Sequence, residues 1–366
     1  MDNNSTQRGA PASLRQPVAS LPRRTVLGLA AALPLLAPWT AAANDVPRLP
    51  FLKGGNVSAW NVTDVERVLA DAARLGLDTL TIPVRLAMPG ARSNAVDVEA
   101  ESLAFAERLA AQAQAKGYRI LIEPYPWIAK GTVAETALDP RDPPAWFAAH
   151  QKALLKLARA FPQAWGLYVA SNLVRLEVHE AAWLDVVRAV RSQFAGKLLY
   201  RTQWWITAVW EPALGEAWTR KLNHPVFGAV DAIAVAAYFE LSDLRAPTVA
   251  DLKAALRATS VHKRKQDVLA ELTALQQRWS KPIFLGELSC PARDFGAQTP
   301  WDPAVSAAFN GDIQRSMLTA WLESLPQDPA QFLGFSLFTI GHPVPSPYDL
   351  APAAATYLRS WSRQPR

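Results

Sequence analysis

KPIFLGEL, residues 281 to 288, is a short apolar run that ends on a single acid, Glu287. Runs of this kind, four to eight residues long and uninterrupted by polar alternation, form strands covered on both faces, as in a parallel sheet. Parallel (β/α) barrels point the carboxyl ends of their strands into one shared mouth, where an acid meets substrate instead of core. Glu287 is therefore the first candidate for a catalytic residue, and a sugar-cleaving enzyme is the leading class. The plainer alternative is that Glu287 only pairs with an arginine in the mouth, as structural carboxylates at strand ends also do.

Seven further runs share this character, at residues 52–59, 78–84, 118–125, 165–170, 197–203, 230–238 and 332–338. Helical patterns separate them, for example Val65, Val68, Leu69, Ala72 and Leu75 at helical spacing, with Thr63 and Glu66 read as a capping box at the start. Eight strand and helix pairs predict a single (β/α)8 TIM barrel over residues 44 to 366. Connections that follow the strands are the longer ones and are rich in Trp and Pro, as expected of the loops that build a barrel's active mouth. No solenoid repeat interrupts this pattern.

Residues 1 to 43 are set apart from the fold. Arg23 and Arg24 precede an apolar run over residues 26 to 39, and Ala41, Ala42 and Ala43 make a small-residue cleavage site. That order is a twin-arginine type of signal peptide, which predicts export and a periplasmic or secreted product. The alternative, an uncleaved anchor, suits the run less well, because Pro34 and Pro38 interrupt it. No stable membrane span is expected after processing.

Composition narrows the partners. The chain carries +6, of which Arg8, Arg15, Arg23 and Arg24 against Asp2 put +3 on the leader. What is left argues neither for nor against nucleic acid, and the one basic cluster, His262, Lys263, Arg264 and Lys265, reads as a solvated helical face without interleaved aromatics, so no nucleic-acid partner is expected. Cys290 stands alone, so no intrachain disulfide forms. The five histidines show no HExxH spacing, and neither a Gly-rich phosphate loop nor a Gly-x-Ser-x-Gly elbow is present, so neither a metal nor a cofactor is expected.

The strand ends supply the candidate chemistry: Arg85, Glu123, Tyr125, Asn172, Tyr238 and Glu287. Trp127, Trp204, Trp205 and Trp210 are candidates for stacking on sugar faces, with loop packing as the alternative for each. A retaining glycosidase needs two carboxyls about 5 to 5.5 Å apart, an inverting one about 6.5 to 9.5 Å. Glu123 has two readings, a relocated proton donor or a buried partner of Arg85.

These residues resemble the β-mannanase-like glycoside hydrolase family 113, of the clan of retaining (β/α)-barrel glycosidases. FLKGGNVSAW, residues 51 to 60, is similar to that family's first strand, and VDAIAVAAYFELSD, residues 230 to 243, to its sixth. KPIFLGELSCPARDFGAQTPWD, residues 281 to 302, carries the closest likeness, including Pro300, Trp301 and Asp302. The resemblance implies Glu287 as nucleophile, Tyr238 as its hydrogen-bond partner, Trp301 in the sugar site, and an oligo- or polysaccharide as partner. Three positions depart from the family. Its acid/base Glu, in a Gly-Thr-Glu-Leu run, is Asn172 within Ala170, Ser171, Asn172, Leu173; its Lys-Pro-His is Glu123, Pro124, Tyr125; and its eighth-strand Trp is absent, with Phe338 the nearest ring. An amide holds no proton for a leaving group, so Asn172 is expected to bind a sugar hydroxyl rather than act as acid. Three function classes follow: a retaining glycosidase on a β-linked polysaccharide, a non-catalytic glycan-binding barrel serving exopolysaccharide synthesis or export, and a transglycosylase or lyase-like variant.

Overall fold

The computed structural model describes residues 49 to 361; the expected leader lies outside them. Eight parallel strands run in order around one closed barrel. They are β1 (Leu52–Val57), β2 (Thr79–Met88), β3 (Arg119–Ile128), β4 (Gly166–Ser171), β5 (Lys197–Gln203), β6 (Ala232–Ala236), β7 (Ile283–Leu288) and β8 (Phe332–Ile340). Pairing of β1 with both β2 and β8 closes the circle. A two-residue strand, Asp97–Val98, lies antiparallel on the outer part of β2.

Why these runs become strands is visible in their burial. Every residue of β1, β4, β6 and β7 is buried, because helices cover the outside while side chains fill the inside. Leu52, Leu121, Tyr168, Leu199, Ala234, Phe284 and Leu333 form an apolar cluster. Since successive side chains alternate across a strand, Glu123 and Arg201 sit two residues beyond Leu121 and Leu199 and point to the same side. A charged layer is thus stacked on an apolar one.

Two expectations at element ends are corrected. The helix Val65–Leu75 starts one residue later than the Thr63 reading, with Asp64 as the cap: its carboxylate accepts from the Arg67 amide at 2.9 Å. His262 to Lys265 form no helical face. A short turn, Val261–Lys263, stands there, and His262, Lys263 and Lys265 have positive φ, which interrupts any helix. Among the described residues no helix is long and apolar enough to cross a membrane.

Candidate active site

Glu287 reaches the mouth because β7 is bulged. Val235 of β6 faces Leu285, yet the next residue, Ala236, faces Glu287, so Gly286 is the extra residue. Bulges re-aim a side chain at the end of a strand, and they occur beside active sites. A side chain at 286 has no room: a Cβ there would lie 2.9 Å from Cδ of Arg201. The Gly-Glu pair is thus one device, with Gly286 making space for the arginine and the bulge presenting the acid to it.

Arg201 is the centre of the site, and it is almost fully buried. Its Nη2 lies 2.9 Å from Glu287 Oε1 and is also paired with Glu123 Oε1. The same nitrogen donates to Ser171 Oγ, and Ser171 in turn donates to Glu123 Oε1 at 2.8 Å. Burial works against the guanidinium's charge, but Glu123 and Glu287 outweigh it and hold the group firmly protonated. One cation then serves two carboxylates, and Glu287 is the one left short. Burial raises its pKa from the usual 4.5 to about 7, with Arg201 pulling it down and the charges of Glu123 and Glu135 pushing it up. A hydrogen bond with Tyr238 also favours the ionised form, and burial followed by the Glu287 charge pushes the Tyr238 phenol well up.

Asn172 stands just past β4 in the left-handed backbone region, at φ 55°, where asparagine is tolerated better than glutamate. Its Nδ2 donates to Glu287 Oε1 at 3.3 Å and to Glu135 Oε1 at 3.1 Å. Its Oδ1 is buried without a partner among the described residues. Glu135 is half-buried and starts a short turn, Glu135–Ala137, in the loop after β3. Sequence reasoning passed over both Glu135 and Arg201. Arg201 did leave a signal, a charge in the middle of an apolar strand; Glu135 left none.

The cleft above these groups has a volume of about 340 Å³ and is lined by Trp60, Tyr125, Phe338 and Tyr348 together with Glu123 and Glu287. None of its lining residues is a lysine or an arginine. A roomier groove of about 490 Å³ lies at the opening residues of β7 and β8, beside Ile283 and Phe332, and no acid lines it.

The remaining predicted residues fall into two groups. Tyr238, Tyr125 and Trp204 surround the charged layer, with the Trp204 ring edge-on to Tyr238 at 5.6 Å. Arg85 does not pair with Glu123, which corrects one of the two readings of that acid. Its guanidinium meets Glu99 at 3.1 Å, donates to the Ala59 carbonyl at 2.8 Å and lies 4.2 Å over the Trp127 ring. Trp127 is thereby covered, and the ring available to a sugar on that side is Trp60, edge-on to it at 4.6 Å and 52% exposed. Trp205 packs away from the mouth, stacked on Trp218 with its Nε1 donating to Glu271 at 2.8 Å. Trp301 is exposed at the rim and donates to Glu240 at 3.1 Å. Among the described residues no cluster of three His, Cys, Asp or Glu is placed to hold a metal.

A sequence model described as Glycoside Hydrolase Family 113 matches residues 55 to 345. No curated protein matches the chain. Solved structures similar to it include the GH113 β-mannanase AaManA from Alicyclobacillus acidocaldarius in complex with ManMIm, with 19% identity, 85% of this chain and 97% of that one covered, and a TM-score of 0.67. A GH113 β-1,4-mannanase follows at 16% identity, with 85% and 98% covered and a TM-score of 0.65. A β-glucuronidase from an uncultured Clostridium reaches a TM-score of 0.51 at 10% identity, with 85% and 50% covered. At these identities the likeness establishes the barrel, and the family model establishes the kinship.

Proposed function

The chain belongs to glycoside hydrolase family 113, and from that premise we propose that it is an exported, retaining glycosidase of a β-linked polysaccharide with Glu287 as nucleophile. The observation that carries the reading is the acid on the β7 bulge, 2.9 Å from a buried arginine and open to a cleft lined with aromatic rings. A nucleophilic carboxylate must be ionised, fixed and reachable by an anomeric carbon. Arg201 and Tyr238 favour the ionised form, Asn172 fixes one oxygen, and the cleft supplies access. Trp60 and Tyr125 offer ring faces against which the CH-rich side of a sugar packs.

In this mechanism Glu287 attacks the anomeric carbon and forms a glycosyl ester, which water then cleaves from the same face that the leaving group occupied. Two inversions leave the product with its starting configuration. The test uses β-1,4-mannotetraose and cellotetraose, the first chosen because the similar structures include β-mannanases, with the anomer formed first followed by NMR. The β anomer is expected at the outset. A first-formed α anomer overturns retention, and no turnover of either tetraose or of their dinitrophenyl β-bioside counterparts favours the glycan-binding barrel.

Export rests on Arg23 and Arg24. Changing both to lysine is expected to leave a full-length precursor in the cytoplasm, since twin-arginine recognition reads that pair. Immunoblots of cell fractions check this, and normal processing to a product that begins at Asn44 would sink the idea.

A further inference from the structure

The family's proton donor position holds an amide here, yet the amide is not idle. Asn172 Nδ2 points one hydrogen toward Glu287 and the other toward Glu135. Bonded to one nitrogen at these lengths, the two acceptor oxygens lie no more than about 6.4 Å apart, which admits a retaining pair at about 5 to 5.5 Å and falls short of the roughly 6.5 to 9.5 Å of an inverting one. Glu123 offers no such vacancy: its Oε1 takes both Arg201 and Ser171, and its side chain is 5% exposed. A general acid must also recover its proton from water in every cycle, which suits a half-buried loop residue better than an acid already held in a buried ion pair.

We propose that Glu135, carried on the loop after β3, is the general acid and base of this site, displaced from the strand position that Asn172 now fills. The assignment rests on the reading of Glu287 as nucleophile. In the first step a Glu287 oxygen bonds to the anomeric carbon as the glycosidic bond breaks; the bond's electron pair goes to the leaving oxygen, which takes the proton of Glu135. In the second, Glu135 as carboxylate takes a proton from water, the water oxygen bonds to the anomeric carbon, and Glu287 leaves as a carboxylate with the ester's electron pair. Glu135 ends the cycle protonated. Asn172 is a positioning residue that keeps both carboxyls in register.

Dinitrophenolate leaves without a proton, so leaving-group dependence separates a donor from a structural residue. With whichever of β-1,4-mannotetraose and cellotetraose the unmutated protein cleaves, Glu135→Gln is expected to lower kcat/KM by about 10²- to 10⁴-fold, against less than tenfold on the matching 2,4-dinitrophenyl β-bioside. With Glu135→Ala, added azide is expected to raise turnover of the dinitrophenyl substrate and to yield the β-glycosyl azide, trapped from the glycosyl ester. Glutamine keeps the acceptor oxygen for Asn172, and melting curves of both variants confirm that the fold is kept. Equal losses on the two substrates, or tetraose cleavage within tenfold of the unmutated protein, would overturn the assignment while an inactive Glu287→Gln left the nucleophile standing. The same split appearing in Glu123→Gln instead would move the role to Glu123. No turnover of any of the four substrates by the unmutated protein overturns both readings together.

Discussion

Glu287→Gln is expected to abolish turnover, by on the order of 10⁴- to 10⁶-fold in kcat, because the loss of a nucleophile leaves only binding and residual electrostatics. The same change is expected to make the protein more stable above neutral pH. Burial raises the Glu287 carboxyl from the usual 4.5 to about 7. Between those two values the folded state holds a proton that the unfolded state has released, so stability falls as pH rises through the window and the loss is complete above pH 7. At 1.36 kcal/mol per pH unit the cost is roughly 3 kcal/mol. Glutamine carries no such cost, and it still offers an oxygen to Arg201 and Asn172. Denaturant midpoints at pH 4.5 and pH 8 check this: the two proteins should match at the lower pH and separate at the higher, with the variant ahead. A variant that is less stable at pH 8, or one that retains activity, would assign the buried charge and the chemistry elsewhere.

Arg201→Met carries the second large effect. Removing one partner of a buried ion pair leaves an uncompensated charge and costs roughly 3 to 5 kcal/mol, and here two carboxylates lose their cation together. Activity is expected to vanish with it, since Glu287 would then hold its proton into the alkaline range. Adding Glu123→Gln to Arg201→Met should recover a large part of the stability and none of the activity, because one buried acid is removed while Glu287 stays without its cation. A double-mutant cycle on denaturant midpoints measures the coupling. Additive losses would show that Glu123 and Arg201 do not act as a pair.

The barrel was legible because each strand is an apolar run covered on both sides, and runs of that kind need no partner in sequence to declare themselves. β5 was placed end to end at Lys197–Gln203. β2 and β3 extend further than their readings, to Met88 and Ile128. In β3 two prolines, Pro124 and Pro126, lie within the strand, and beyond Ile122 it pairs with β2 alone. A strand paired on one side only tolerates the N–H groups that proline lacks. In the site, the place of Glu287 in the mouth was legible because an acid closing an apolar run stands at the open end of its strand. Glu135 was not: it sits among small residues in a loop, and 37 positions separate it from the amide that binds it. Only the closed barrel brings the two together. Asn172 looked like a loss when read against the family pattern, whereas its left-handed backbone and its two bonds make it a spacer between acids.

The cleft's lining has a bearing on which polymers can thread it. Acids occupy its floor, aromatic rings its walls, and no lysine or arginine stands ready to receive an anion. Arg201 is already engaged by Glu123 and Glu287, so a uronate, sulfate or pyruvate group brought to this site is expected to meet charge of its own sign. On the proposed reading, uncharged backbones are expected to be cut in preference to heavily decorated anionic ones. Such a barrel is then expected to trim the plain stretches of a glycan and to stop where acidic decoration begins.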